Sequence, residues 1–247
     1  RISTFTSKIV PLMSVLYFLL CLIILFMNYD KIPTVFGNIF SEALTGKSIG
    51  GGVLGYSIMH IIQTGVKRAA FSNEAGIGTA PMAHGNAKTN EPIAEGYVAM
   101  IGPFVDTIIV CTLTALTILV SMTPEMGNLN GINMTSFAFS SNLGDFGRHS
   151  LGIIIFMFSF STMIGMANYN KKCWDYLFRG RFRMGNKAFI VYYSMALLFG
   201  AIIEMNNVVN VIDICYALMA IPNIIATVLL AKEVKSRLKT YNDKFKV

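Results

Sequence analysis

The chain has 247 residues, 54% of them hydrophobic and only 13% charged, with a formal net charge of +7 and a mean hydropathy of +0.58. A water-soluble domain carries roughly 25% charged residues, so this composition excludes an ordinary soluble globular protein. The positive charge does not point to nucleic acid either, because the bases gather in the connections between apolar segments and at the end of the chain.

The first apolar segment, 9–29, has the length for crossing a bilayer, which takes ~17 to 25 mostly apolar residues. Residues 30–50 form a connection in which IPTVFGNIFSEAL reads as a short amphipathic helix on the outer surface. The next segment, 50–85, is broken. Its apolar part, Val53–Ile62, is too short to span alone, and it continues through His60, Gln63, Lys67 and Arg68 into AFSNEAGIGTAP, Ala70 to Pro81. Such a polar load must face other helices or a watery vestibule. Further segments fall at 95–122, 151–170, 188–206 and 207–231, followed by a basic tail at 232–247. Thr123–Ser150 reads as the longest outer loop, rich in Asn, Gly and Ser. Residues 170–187 read as an inner loop whose Trp174, Tyr176 and Phe178 stand among bases at headgroup level.

If the first segment runs outward and all six cross once, most bases lie inside. Arg1, Lys8, Lys88, Lys171, Lys172, Arg179, Arg181, Arg183, Lys187 and the tail are then cytoplasmic, against only Lys31, Lys47 and Arg148 outside. That is the positive-inside asymmetry, and it requires the broken segment to cross. The expectation is an all-α integral protein of the cell membrane, with about six transmembrane helices and both ends of this chain cytoplasmic. The basic tail fits an anionic lipid surface. A start at Arg1, with no initiating Met and no signal peptide, reads as a fragment of a longer membrane protein.

Chemistry must come from polar groups within the apolar segments. Backbone that leaves helical geometry at membrane depth exposes N–H and C=O groups, which is tolerable where they line a cavity. In Ser72-Asn73-Glu74-Ala75-Gly76-Ile77-Gly78-Thr79 the glycines allow close approach to the backbone. Unwound backbone beside a helix dipole suits both charges of an amino acid zwitterion, while a helix-packing surface is the bland alternative. Glu74 reads as an ion-pair partner of Lys67 or Arg68, or as a proton carrier. Ser159, Ser161 and Thr162 offer hard oxygens for Na⁺, or bond back to their own helix. Asp106 is a functional carboxyl or pairs with Lys67, Arg68 or an inner-loop base. Pro222 is expected to kink the last segment, with Asn223 capping the freed carbonyl locally. Cys21, Cys111, Cys173 and Cys215 lack CxxC spacing, and His60, His84 and His149 lack ligand spacing. Neither a metal centre nor an organic cofactor is expected, and no nucleophile–base pair points to an enzyme.

The blocks KIPTVFGNIF (Lys31–Phe40), VKRAAFSNEAGIGTAP (Val66–Pro81), FVDTIIVCTLTALTILV (Phe104–Val120), FSFSTMIG (Phe158–Gly165) and LMAIPN (Leu218–Asn223) occur in this order. Together they resemble the C-terminal half of the alanine-or-glycine:cation symporters, the sodium:alanine symporter family. The resemblance implies a leucine-transporter-like fold, with this chain holding the fifth helix of the first repeat and the whole second inverted repeat. It places Phe71, Ser72, Asn73, Gly76 and Gly78 on an unwound sixth helix that contacts a small neutral amino acid. It also places Ser161 and Thr162 at a sodium site on the eighth helix. Met166 stands where family members often carry an aromatic residue, a departure that bears on substrate size and preference. The opposite wall of the site is expected from helices upstream of Arg1. Sodium-coupled uptake of alanine or glycine is the implied activity. A proton-coupled or differently selective carrier, or a non-transporting membrane binding or sensing subunit, are the alternatives.

Overall fold

The computed structural model describes residues 2–45, 54–123, 126, 129, 131–178 and 185–245. Among the described residues the chain is helical, without a strand. Its order is α1 (Ile2–Met27), a 3-10 turn (Tyr29–Lys31), α2 (Ile32–Thr45), α3 (Leu54–Ser72), α4 (Ala80–His84), α5 (Pro92–Pro103), a π-helical stretch (Phe104–Cys111), α6 (Thr112–Val120), α7 (Ile132–Phe178), α8 (Gly185–Ile202) and α9 (Met205–Phe245). Helix satisfies each backbone group within its own segment, as hydrocarbon demands. Five described stretches are long and apolar enough to cross a bilayer: Ile9–Met27, Pro92–Val120, Ile132–Phe178, Gly185–Ile202 and Met205–Phe245. At 19 residues α3 has the length, but Gln63, Lys67 and Arg68 make it too polar to join them.

Two compact units divide the chain: Arg1–Val66 with Val105–Ile164, and Lys67–Phe104 with Gly165–Val247. In the first, the sequence of α1 places Tyr17, Leu20, Cys21, Ile24 and Leu25 on one face, the spacing of a helical stripe. This stripe packs on Leu116 and Val120 of α6 and on Phe139, Leu151 and Ile154 of α7. The Tyr17 ring stacks on Phe139 at 6.0 Å between centroids, and its hydroxyl shares a 2.7 Å hydrogen bond with Thr114 Oγ1. A polar chain closes one end of this core. Asn28 Nδ2 donates to Asn142 Oδ1 at 2.7 Å, Asn142 Nδ2 donates to Ser121 Oγ at 2.7 Å, and Lys31 Nζ donates to Asn28 Oδ1 at 2.9 Å.

The expected outer loop Thr123–Ser150 is corrected by the structure, because α7 begins at Ile132. Thr135, Ala138, Phe139, Gly147, Leu151 and Ile154 are buried along it, so a helical stripe underlies a composition that reads as a loop. Gly144 interrupts α7 with φ 61° and ψ −147°. Beyond it, a Cβ at Gly147 would lie 2.4 Å from the Phe139 carbonyl oxygen, so the corner needs glycine there. The expected amphipathic helix at 30–50 is α2, within its described residues. The basic tail expected at 232–247 continues α9 as helix to Phe245. Pro103 lacks an N–H, and the π-helical stretch carrying Asp106 begins directly after it.

In the second unit, α4 and α5 are joined by His84 Nδ1 and Glu95 Oε1 at 2.7 Å. Glu91, beside the start of α5, pairs with Lys244 near the end of α9, and Tyr97 meets Tyr241 at 6.2 Å. Trp174 packs on Phe178 at 4.4 Å and on Tyr192 at 5.4 Å. Large apolar side chains of α8 and α9, among them Ile190, Leu198, Ile202, Ile214 and Leu229, are exposed, as faces turned to lipid are.

Candidate functional site

The helical ladder of α3 stops at Ser72 and resumes at Ala80, leaving residues 73–79 outside helical geometry. The sequence explains the stop. Asn73 bends the chain by accepting the Ala75 N–H on its own Oδ1 at 3.0 Å, the local competition by which Asn disfavours helix. Glu74 then takes φ 56°, Gly76 φ 96° and Gly78 φ 111°. Three left-handed residues in five positions cannot be accommodated in a right-handed helix. At Gly78 any side chain would be strained whatever the space, and its built Cβ meets Asn223 Cβ at 3.5 Å.

Some of the freed backbone groups find partners. The Ile77 N–H reaches the Glu74 carbonyl at 3.3 Å, and the Gly76 carbonyl accepts from Asn223 Nδ2 at 2.8 Å. The Thr79 carbonyl accepts from the Met82 and Ala83 N–H groups and starts the ladder of α4. Ile77 is buried and anchors the segment, and Thr79 is buried at 3% exposure. The Thr79 hydroxyl has no hydrogen-bond partner among the described residues. Pro81 occupies the first turn of α4, where a missing N–H does no harm.

The carboxylate that pairs with Lys67 and Arg68 is one the sequence did not suggest. Lys67 and Arg68, in the last turns of α3, both pair with Asp213 of α9. The Asp213 side chain is 7% exposed, against 43% for Lys67 and 55% for Arg68. One buried carboxylate thus takes two half-exposed cations. Asn223 also departs from expectation. Its amide crosses to Gly76 rather than capping its own helix, while Thr227 Oγ1 donates to the Asn223 carbonyl at 2.8 Å.

The residues expected at the substrate fall in the second unit. The Phe71 ring meets Tyr216 edge-on at 5.4 Å, Ser72 closes α3, and Asn73, Gly76 and Gly78 shape the unwound segment. Met166 is half-buried on α7 in the same unit. Ser161 and Thr162 belong to the first unit. Ser161 Oγ donates to the Phe158 carbonyl at 2.9 Å and lies 4.0 Å from Met13 Sδ, so its hydrogen is committed to its own helix. Its lone pairs stay available, since a hydroxyl that donates once still accepts. Thr162 is exposed. Among the described residues, no group of three or more His, Cys, Asp or Glu is placed to hold a metal. Two residues have parts here that the sequence reading did not give them, Thr79 as a buried hydroxyl and Asn223 as a donor to the segment. Only the first left a local signal, as a hydroxyl at the far end of the glycine pair.

The family model described as the sodium:alanine symporter family matches residues 1–247. An uncharacterized transporter of Haemophilus influenzae is 36% identical over 248 residues, covering 100% of this chain and 54% of that protein. The sodium/alanine symporter AgcS of Methanococcus maripaludis is 37% identical over 241 residues, covering 96% of this chain and 51% of AgcS. The probable sodium/glutamine symporter GlnT of Bacillus subtilis is 34% identical over 246 residues, covering 98% of this chain and 49% of GlnT. The chain therefore spans about half the length of the curated relatives it matches.

Proposed function

Because the chain belongs to the sodium:alanine symporter family, we propose that it is the C-terminal half of a sodium-coupled symporter of a small neutral amino acid, alanine or glycine. The chain is part of a multi-pass membrane transporter, not an enzyme. The observation that carries the reading is the unwound segment 73–79 between α3 and α4. Unwound N–H groups suit a carboxylate and unwound carbonyls suit an ammonium. The N-terminal ends of half-helices add favourable field for the anion.

In this reading the fold is leucine-transporter-like, α3 and α4 form one broken crossing, and both ends of the chain are cytoplasmic. Phe71, Ser72, Asn73, Gly76 and Gly78 form one wall of the substrate site, with Met166 setting its size. Ser161 and Thr162 supply oxygens to Na⁺. Sodium binding favours the outward-open state, the amino acid joins it at the midplane, and rocking of the helix bundle opens the site inward. The opposite wall comes from helices outside this chain.

The test is counterflow of labelled alanine in proteoliposomes holding the whole protein, with and without a Na⁺ gradient. Sodium-dependent exchange is the expected result, and no exchange at all would sink a carrier role. A carboxylate on the unwound segment favours one rival, proton coupling through Glu74. Replacing Glu74 with Gln keeps the side-chain shape and removes the charge. Sodium-dependent uptake is expected to persist within about threefold, a change under 1 kcal/mol. Its loss, together with loss of any pH dependence, would move the coupling from sodium to the proton.

A further inference from the structure

The second unit holds the unwound segment from one side by a single helix, and the contacts fall in register. Asp213 of α9 takes Lys67 and Arg68, Tyr216 takes Phe71, and Asn223 takes the Gly76 carbonyl. Positions 213, 216 and 223 lie within an arc of roughly 80° at 100° per residue, so one face of α9 runs along the end of α3 and into the break. The first two contacts grip helix. The third grips the peptide unit between Gly76 and Ile77.

That peptide unit lies in the unwound part of the segment, between two left-handed glycines. Gly76 has φ 96° and open space where a Cβ would stand, and the Ile77 N–H on the following plane reaches the Glu74 carbonyl at 3.3 Å. A flip exchanges the outward direction of the Gly76 carbonyl and the Ile77 N–H. At a site for a zwitterion this exchanges an acceptor for a donor. The Asn223 amide donates at 2.8 Å and, with the longer 3.3 Å bond from the Ile77 N–H to the Glu74 carbonyl, selects one of the two orientations. It cannot do so by packing alone, since a side chain of the same shape without an N–H donor would leave both orientations open. Asn223 itself follows Pro222, so the preceding turn of α9 lacks one ladder hydrogen bond.

We propose that Asn223 is a positioning residue of the substrate site, acting through Gly76 by locking the Gly76–Ile77 peptide plane. The assignment rests on the transport reading of the same segment for its functional consequence, but not for its structural one. Loss of the amide donor lowers the population of the competent orientation, and apparent affinity falls in proportion to that population. One net hydrogen bond supports a change of about fivefold.

The experiment uses the whole transporter with Asn223→Asp, which keeps shape and packing against Gly78 but turns an ionised acceptor toward the Gly76 oxygen, and with Asn223→Ala. Both are expected to raise the KM for alanine about fivefold or more while Vmax stays within twofold. Deuterium uptake by a peptide spanning 70–81 is expected to quicken in both variants, with or without alanine. Wild-type KM and wild-type exchange in Asn223→Asp would overturn the assignment and leave packing as the role of Asn223. A fall in Vmax that merely tracks lost folded protein would overturn it as well. If the wild type shows no sodium-dependent transport, the functional reading fails by itself. The exchange measurement still decides whether Asn223 locks the segment, and unchanged exchange overturns it.

Discussion

Replacing Asn73 with Ala in the whole transporter is expected to cut sodium-dependent alanine uptake about 100-fold while expression stays intact. Two losses combine. The Asn73 side chain holds the turn that ends α3 by accepting the Ala75 N–H, and a net hydrogen bond of that kind contributes about 1 kcal/mol. In the proposed site the carboxamide also meets a charged substrate group, and hydrogen bonds to charged groups contribute about 1.5–3 kcal/mol. Asn73→Asp separates the two, because it keeps an acceptor for the Ala75 N–H but lacks the amide donor. It should leave the fold of the segment intact and still lose most uptake. Unaffected uptake in Asn73→Ala would remove Asn73 from the site.

The second large effect is on stability. Removing both cations by Lys67→Ala and Arg68→Ala strands the Asp213 carboxylate, which is 7% exposed. Breaking a buried pair from that side costs about 3–5 kcal/mol, which lowers Tm on the order of 10 °C. Removing the carboxylate by Asp213→Asn should cost far less, because Lys67 and Arg68 are 43% and 55% exposed and keep their hydration. The triple variant should recover most of what the double variant loses. Thermal unfolding of the detergent-solubilised protein reads all three. An Asp213→Asn variant less stable than the double variant would mean that the cations, not the carboxylate, depend on the pair.

What the sequence made legible was local. An apolar run of bilayer length marks α1, an amphipathic run marks α2, and the Asn-Glu-Ala-Gly-Ile-Gly order marks the break, because each is set by neighbours along the chain. The helical start of α7 was hidden for a related reason. Its Asn, Ser and Gly residues carry loop propensity, and the buried stripe through Thr135, Ala138 and Phe139 gains its meaning only once Phe139 packs with α1 and α6. The partner of Lys67 was not legible at all. Glu74 is seven positions away along the chain, but a left-handed turn stands between them, and the carboxylate that arrives comes from α9. Asn223 reaches Gly76 across 147 positions, and no periodicity in either stretch encodes that meeting. Asn223 therefore read as a local cap, the role Asn plays when nothing distant claims its amide.

The left-handed Glu74 has a consequence for how this segment responds to selection. At φ 56° a side chain carries a conformational penalty of roughly 1–2 kcal/mol that glycine escapes. Heat alone, acting on a library of variants, thus favours a third glycine in a stretch that already has two. In the proposed site uptake depends on the stiffness of the same turn, and a third glycine surrenders it. Thermal survival and transport rank the residues at this one position in opposite orders, so a variant improved by one criterion is a poor guide to the other.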